Sequence, residues 1–225
     1  MVNPHVQLIQ EAVTSYSNPT RAKAMAAYMK HHHFKFAGIS APNRTNLLRP
    51  IWQDHKLTIK EDIKNIVNEL WQLEYREYQM IAMELMGKCK KQFQINDLEF
   101  VQKLITTKSW WDSVDFLASN MVGTILKPYP DWAEKSAKEM MSSDHMWLQR
   151  TVLIFQLKYK EEVNGVLLYQ LIQQTKGSTE FFINKASGWA LRQYSKFDPA
   201  SVTQFIKQNK HWLSKLTVKE GSKYL

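Results

Sequence analysis

The segment TTKSWWDSVD, residues 106–115, has the side chains best suited to chemistry. Ser109 is a good N-cap residue, and the helix predicted after it has two tryptophans and two aspartates within six residues. Trp111 and Asp115 are four residues apart, so an indole and a carboxylate share one helix face. This pair suits a cationic ligand, because the ring face also attracts positive charge. Trp110 points elsewhere and is predicted to be a core aromatic.

Two later helices add candidates to the same predicted surface. WLQR supplies Arg150, and ASGW supplies Trp189 beside a glycine that lets another backbone or a ligand approach closely. Taken singly, Trp189 is more simply a core residue and Arg150 a salt-bridge partner between helices. Together with Trp111 and Asp115 they form a candidate site. Its basic rim consists of Lys108, Lys158, Lys160, Lys185, Arg192 and Lys196. A basic rim around an aromatic centre is typical of surfaces that hold phosphates outside and a nucleoside inside.

Common catalytic signatures are missing from the sequence. It has no GxxxxGKS/T, GxGxxG, HExxH, GxSxG or CxxC motif, which argues against the usual nucleotide-binding, zinc-protease and hydrolase classes. The single cysteine, Cys89, excludes an internal disulfide and a cysteine-rich zinc site. Three adjacent histidines, residues 31–33, point in different directions on a helix. They therefore cannot chelate one metal ion together.

The elements that must position these residues are helices. With 7 Gly and 7 Pro in 225 residues, the sequence has too few turn formers for a β-sandwich, a barrel or a glycine-rich nucleotide loop. Its hydrophobic residues, 44% of the total, recur at spacings of three and four, which predicts about a dozen helices. Asn18, Asp198 and either Ser143 or Asp144 are predicted to cap the helices that follow them.

A faint internal repeat relates four of these helices. Aligning LEYREYQ, SWWDSVD, WLQRTVL and FINKASG makes Arg76, Asp112, Arg150 and Lys185 equivalent, in steps of 36, 38 and 35 residues. Each step holds two helices, and stacked pairs bury a continuous core while one helix of each pair lines a concave face. The sequence thus predicts one all-α domain over residues 1–225, an α-solenoid superhelix of HEAT-like repeats with a concave basic groove. Chance similarity among amphipathic helices is the alternative.

The charge balance indicates an anionic partner. The chain has 30 Lys and Arg against 21 Asp and Glu, which gives a net charge of +9 and a pI near 9.4. This surplus favours DNA, RNA or an acidic membrane surface, although an ordinary basic soluble protein has the same balance. No stretch of about 18 apolar residues is present to span a membrane, and no signal peptide is recognised at the start. A cytoplasmic location is expected.

Several stretches resemble the AlkD family of bacterial HEAT-like-repeat alkylpurine DNA glycosylases. They are ITTKSWWDSVD, WLQR with FQLKYK, EFFINKASGWALRQY, and the earlier MAAYMK and FAGI. The likeness runs from about residue 4 to residue 215, and WWDSVD is its most specific motif. It implies a curved solenoid that holds double-stranded DNA and removes cationic N3-alkyladenine and N7-alkylguanine to leave an abasic site. It also implies no metal or cofactor. A monomer is expected, in the bacterial cytosol and on the nucleoid when bound to DNA.

The resemblance also implies roles for single residues. Asp115 is the catalytic carboxylate, and the indoles of Trp111 and Trp189 flank it. Arg150 contacts the DNA backbone near the lesion. Tyr28 matches an aromatic residue in an N-terminal helical element that grips DNA. The remaining residues assigned to DNA binding are Lys158, Arg192, Lys108 and Lys185.

The sequence departs from the family pattern at one place, and it leaves two alternative functions open. The likeness fades after residue 211, so the last stretch is expected to lack a terminal helix. The intact NPTRAKAMAAYMK helix favours an active enzyme. One alternative is a catalytically silent relative that binds damaged or branched DNA, which an assay of base release distinguishes. The other is a HEAT-type scaffold for an acidic protein, in which Trp111 and Asp115 are buried.

Overall fold

The protein is built of helices. The computed structural model describes residues 2–30 and 33–225, and within them no strand forms; Lys35 and Tyr75 make an isolated parallel bridge. None of the described helices is long and apolar enough to cross a membrane. The all-α fold class is therefore confirmed, whereas the superhelix and its concave groove stay predictions. Two of the three adjacent histidines lie outside the described residues, so the prediction for them is not tested.

The chain divides into two compact units, Met1–Cys89 and Lys90–Leu225, and a single domain over the whole chain stays a prediction. The helices of unit 1 are α1 (Pro4–Ser15), α2 (Pro19–Tyr28), α3 (Ala41–Glu61), α4 (Ile63–Gln72) and α5 (Arg76–Cys89). Helix α1 buries Val6, Ile9 and Val13, at spacings of three and four, where it contacts α3 and α4. The apolar period thus predicts both the helix and its packed face.

Helix α2 differs from its neighbours because none of its residues is buried. Its N-cap is Asn18, whose side chain accepts the backbone N–H of Arg21, as predicted. A loop holds it: the backbone N–H of Asn18 donates to the carbonyl of Ala37 at 2.8 Å. Next to it Gly38 has a φ of 86°, and a Cβ there would lie 2.0 Å from the Asn18 carbonyl oxygen. Only glycine fits this position.

The same loop is anchored by the fully buried Glu77 of α5. Its carboxylate accepts the backbone N–H groups of Ala37, Gly38 and Ile39 at 2.9, 2.8 and 3.1 Å. Three charge-assisted hydrogen bonds compensate the loss of hydration of the buried carboxylate. The side chain of Glu77 therefore anchors the loop that binds the start of α2 through Asn18.

Unit 2 contains the candidate site. Its helices are α6 (Leu98–Thr106), α7 (Trp111–Phe116), α8 (Gly123–Leu126), α9 (Pro130–Met141), α10 (Met146–Ile154), α11 (Gly165–Gln174), α12 (Phe181–Tyr194), α13 (Pro199–Asn209) and α14 (Lys215–Gly221). Short 3-10 turns lie at Lys90–Gln92, Ile95–Asp97, Phe155–Lys158 and Lys160–Glu162. The residue that caps α10 is His145, so the prediction of Ser143 or Asp144 is wrong.

Two further caps test the sequence analysis. Asp198 accepts the backbone N–H of Ser201 at 3.0 Å and begins α13, as predicted. Ser109 does not cap α7, because its hydroxyl donates to the carbonyl of Ile105 in the preceding helix at 2.6 Å. Trp110 takes the cap position instead, with extended backbone, and its side chain does not cap the helix. A serine close to two helix ends can bind either, and here it closes the earlier one.

A π-helical turn, Leu117–Val122, joins α7 to α8, so the three form one continuous helix. Within the wider turn, Ser119 and Asn120 donate side-chain hydrogen bonds to the carbonyls four residues before them, at 2.9 and 3.1 Å. Gly123 follows, where a Cβ would lie 2.3 Å from the carbonyl oxygen of Phe155. This close approach fixes the second half of the helix against the turn after α10.

The last helix, α14, packs on α12. A Cβ at Gly188 of α12 would lie 2.6 Å from the Cβ of Glu220 and 3.1 Å from the carbonyl oxygen of Thr217. The glycine therefore admits another backbone, as predicted, and that backbone is α14. The expectation of a missing terminal helix is wrong: Ser214 accepts the N–H of Thr217 and starts α14.

Candidate active site

Asp115 lies on α7, one turn after Trp111, and forms a bidentate ion pair with Arg150 of α10. Nε and Nη2 of Arg150 donate to Oδ1 and Oδ2 of Asp115 at 2.7 and 2.8 Å. Nη1 donates to the carbonyl of Phe182 at 2.6 Å. The side chain of Asp115 is 21% exposed, whereas that of Arg150 is 2% exposed. The pair is therefore oriented, with its negative end toward the surface and its positive end inside.

Burial affects the protonation of this carboxylate. Loss of hydration raises the pKa of Asp115 above its ordinary 3.8, and the hydrogen bonds and charge of Arg150 oppose that shift, while the charge of Asp112 adds to it. The two-pronged contact requires the ionised carboxylate, since both oxygens accept. Burial therefore disfavours the negative charge of Asp115, and the ion pair with Arg150 stabilises it.

Arg150 is bound within the protein. The resemblance implied a contact with the DNA backbone, but the side chain is buried and its donors bind Asp115 and the carbonyl of Phe182. Contact of Arg150 with the DNA backbone stays a prediction. Arg150 positions Asp115.

Trp189 lies next to the same arginine, because α10 contacts both α7 and α12. The guanidinium carbon of Arg150 is 5.5 Å from the centroid of the Trp189 ring. Nζ of Lys185 is 5.7 Å from that centroid and the guanidinium carbon of Arg192 is 5.9 Å from it. The indole is half-buried. Asp115, Arg150 and Trp189 therefore belong to one cluster.

The two adjacent tryptophans of the WWDSVD motif serve different purposes. Trp110 packs in an aromatic cluster with Trp147 and Phe182, at centroid distances of 5.7 and 5.3 Å, but it is half-buried and does not belong to the fully buried core that was predicted for it. Trp111 is half-buried and lies four residues before Asp115 on the same helix. The aromatic cluster includes the residue whose carbonyl binds Arg150, so packing and ion pair support each other.

The charges of the site recur every 35 residues. Asp115, Arg150, Lys185 and Glu220 are 35 residues apart in turn and lie on α7, α10, α12 and α14. Ion pairs join the first two and the last two members. The sequence alignment placed Asp112 in this register, and the structure puts Asp115 there instead, at the fifth position of its helix like Arg150 and Lys185. Assignment to HEAT-like repeats stays a prediction.

Glu220 is the residue of this cluster that sequence analysis missed. Its side chain is 5% exposed, and its carboxylate accepts hydrogen bonds from Lys185, Arg192 and Lys223 at 2.7, 3.1 and 2.8 Å. The hydrogen bond from Lys185, then that from Lys223, lowers the pKa of Glu220 to about 2. No helix was expected after residue 211, so nothing singled it out. The signal in the sequence is the step of 35 residues from Lys185.

Lys158 and Lys108, both assigned to DNA binding, lie in the same unit as Asp115. Lys158 is exposed and donates to the side-chain oxygen of Asn120 in the π turn. Partial burial, and then the charge of Lys90, lowers the pKa of Lys158. Lys108 precedes α7 with a φ of 51°, a left-handed conformation that costs a lysine energy. Contact with DNA stays a prediction for both, as it does for Lys185 and Arg192.

In unit 1, Tyr28 ends α2 and is 70% exposed. Arg21 and Lys23 are exposed on the same helix, which gives α2 a basic surface. The DNA contact of Tyr28 stays a prediction. Also in this unit, His5 and His55 have ring centroids 5.3 Å apart, and no third metal ligand completes a site with them in the described part of the chain.

Comparison with known proteins identifies the family. The model of the DNA alkylation repair enzyme family matches residues 9–225. The solved structure of a predicted DNA alkylation repair enzyme from Enterococcus faecalis has a TM-score of 0.85 and 35% identity, over 93% of this chain and 96% of that one. The smu.31 protein of Streptococcus mutans UA159 shares the fold, with a TM-score of 0.56 and 20% identity over 81% and 99% of the two chains. No curated protein matches. The chain belongs to the family of DNA alkylation repair enzymes.

Proposed function

We propose that the protein is a DNA glycosylase that hydrolyses the N-glycosidic bond of N3- and N7-alkylpurines, such as 3-methyladenine and 7-methylguanine, in double-stranded DNA. Membership of the family supports a role in the repair of alkylated DNA. The observation that carries the proposal is the oriented ion pair, in which the carboxylate of Asp115 is part-exposed above the buried Arg150. A negative charge held at the surface beside half-buried indoles suits a positively charged ligand.

The chemistry of the lesion determines what the site must do. Alkylation at N3 or N7 puts a positive charge on the purine. When the bond from C1′ to N9 breaks, its electron pair leaves with the base, which departs neutral, and the positive charge passes to the sugar. Water then adds to C1′ and loses a proton. Because the leaving base needs no protonation, the site has to stabilise a sugar cation and place a water molecule.

Each residue of the cluster has a part in this reaction. Asp115 stabilises the sugar cation through its charge and holds the attacking water. Trp111 and Trp189 flank the deoxyribose and turn the negative faces of their rings toward it. Arg150 fixes the carboxylate and keeps it ionised. The mechanism favours cationic lesions, and neutral damage such as uracil is a poor substrate because its departure leaves no neutral base.

Binding of double-stranded DNA is the second part of the proposal. The net charge of +9 favours a polyanion. Exposed Lys158, together with Lys108 in the same unit, is proposed to contact phosphates, and Tyr28 at the end of α2 is proposed to contact the DNA from unit 1. The protein acts as a monomer in the bacterial cytosol, without metal or cofactor, and leaves an abasic site.

The test is release of 7-methylguanine from methylated double-stranded DNA by the purified chain. Wild type is expected to release the base, and Asp115→Asn to lower the rate by at least about tenfold while DNA binding is kept. Since this change leaves Arg150 buried without a counter-charge, the double variant Asp115→Asn/Arg150→Gln provides a folded reference. Asp112→Asn, on the same helix, is the matched control and should stay close to wild type.

Three outcomes would contradict the proposal. Equal release by wild type and Asp115→Asn would remove Asp115 from the reaction. A wild-type chain that binds DNA but releases no base would instead be a silent DNA-binding member of the family. A chain without affinity for DNA at moderate salt would favour a scaffold.

A further inference from the structure

Trp189 is surrounded by positive charge. Arg150, Lys185 and Arg192 each place a cation within 6 Å of its ring centroid, at the distances given above. Such a ring is a poor neighbour for a further cation, because like charges at this distance repel strongly where water is partly excluded. A site that stabilises a sugar cation therefore needs counter-charges for the three. Asp115 supplies one, to Arg150.

The second counter-charge comes from the end of the chain. Lys185 and Arg192 both donate to the buried carboxylate of Glu220, one to each oxygen. Lys185 and Arg192 are one turn before and about one turn after Trp189 on α12, so one carboxylate holds the cations on both sides of the indole. Without Glu220, the positive charge next to Trp189 would rise by one unit.

We propose that Glu220 is the second carboxylate of the active site and a positioning residue for Trp189: it holds Lys185 and Arg192 and offsets their charge, so that the indole can face a cationic sugar. The proposal rests on the proposed function, because it assigns Trp189 to the sugar.

The register of the charges supports this role. Going along the chain in steps of 35 residues, the signs run negative, positive, positive and negative, with Asp115 and Glu220 at the two ends. Each carboxylate is paired with the cation one step away from it, by 2.7 Å contacts in both cases. The two carboxylates thus take equivalent places on either side of Arg150 and Lys185. Glu220 also stays ionised at all pH values at which a glycosylase is assayed, since its pKa lies at about 2.

The proposal predicts opposite effects on binding and on chemistry. Glu220→Gln keeps the size of the side chain and removes its charge. Lys185 and Arg192 then become available to DNA phosphates, so double-stranded DNA should bind more tightly. Excision of 7-methylguanine, measured in single turnover with saturating enzyme, should become slower, on the order of tenfold, because the added positive charge opposes the sugar cation. A purely structural role would weaken both.

Two variants control this experiment. Lys223→Gln removes a cation from the same carboxylate but leaves the contacts of Lys185 and Arg192 in place, so binding should weaken slightly and the single-turnover rate should stay near wild type. Glu220→Asp keeps the charge and should restore much of the wild-type rate. If Glu220→Gln does not fold, thermal unfolding reports it, and the double variant Glu220→Gln/Lys223→Gln, which removes one cation together with the carboxylate and still releases Lys185 and Arg192, replaces it.

The proposal fails if Glu220→Gln binds DNA no more tightly than wild type, or if its single-turnover rate is unchanged. It fails likewise if Glu220→Asp, with its charge intact, excises as slowly as the neutral variant. Failure of the proposed function looks different: wild type itself would release no base. The DNA affinity of Glu220→Gln would still show in that case whether Glu220 restrains Lys185 and Arg192.

Discussion

Asp115 and Arg150 depend on each other. A buried guanidinium without its carboxylate is an uncompensated charge, which typically costs about 3–5 kcal/mol of stability. The carboxylate, in turn, would be harder to ionise without the arginine, since burial already raises its pKa. The pair therefore combines a structural role with the charge that the proposed reaction uses, and changes to either residue affect both.

The rate of base release should depend on pH through Asp115. Only the ionised carboxylate stabilises a sugar cation, so activity should fall as pH decreases through the pKa of Asp115. Because burial raises that pKa, the midpoint should lie above the 3.8 of an ordinary aspartate. Single-turnover rates between about pH 4 and pH 8, corrected for spontaneous loss of the base, measure it. In Asp115→Asn the acid limb should be missing; an identical limb would assign the titration to another group.

Arg150 and Lys158 should differ in the salt dependence of DNA binding. Arg150 is buried and bound to Asp115, so Arg150→Gln should slow base release and leave the slope of log K against log salt unchanged. Lys158 is exposed, and Lys158→Gln should reduce the slope by about one. Titrations of one duplex at several salt concentrations compare the two. A smaller slope for Arg150→Gln would show that the arginine leaves Asp115 and reaches a phosphate.

For single residues, the sequence predicts residue types and their spacing but not which side chains contact each other. Trp111 and Asp115 share a helix face because they are four residues apart, and the structure has them on α7. Trp189 became a candidate because Gly188 precedes it, and that glycine does allow α14 to pack closely. The burial of Arg150 and the presence of Glu220 in the cluster follow from contacts between helices 35 residues apart, and no local pattern reveals which side chains those contacts pair.

Helix α2 shows how an element without a buried face is kept in place. It buries no residue, so its position depends on the loop that follows it and on the carboxylate of Glu77 in α5. Hydrophobic periodicity identified the packed helices of both units, because burial of one face produces that period. It could not show what holds α2, nor the π turn, in which polar side chains also donate to backbone carbonyls.

Removing the carboxylate of Glu77 should loosen this arrangement. Glu77→Ala leaves three buried N–H groups unpaired, and the free energy of unfolding should fall by about 3 kcal/mol in a urea titration. Hydrogen exchange at the N–H of Asn18 should become faster, since its acceptor lies in the same loop. The matched control is Glu74→Gln: its partner Lys35 is exposed, and stability should stay near wild type. Equal effects of the two changes would contradict the anchoring role.

In the molecule as a whole, the last helix, α14, contributes to the cluster around Trp189. Helix α14 packs on α12, and its Glu220 binds two of the cations around Trp189. Net charge and composition indicated a helical protein with an anionic partner, but they carry no information about which of the 30 basic residues are already paired within the protein.

This arrangement should be visible in the acid stability of the protein. The pKa of Glu220 is lowered from 4.5 to about 2, so its contribution to the free energy of unfolding is complete above the first value and is lost as pH falls through the second. The difference in stability between wild type and Glu220→Gln should therefore shrink between about pH 5 and pH 2. Urea unfolding at a series of pH values measures it. A difference independent of pH would mean that the carboxylate gains nothing from its cations.

The π turn at Leu117–Val122 determines the direction in which Asp115 points. A regular α-helix rotates by about 100° with each residue, and a π turn accommodates one extra residue without breaking the helix. Gly123 is fixed against Phe155, so deleting one residue from the turn would restore a regular helix and swing Trp111 and Asp115 about a quarter of a revolution away from Arg150. Such a shortened chain would still fold as a helical protein, with its carboxylate aimed in the wrong direction. The single inserted residue is thus what brings the two halves of this helix into phase.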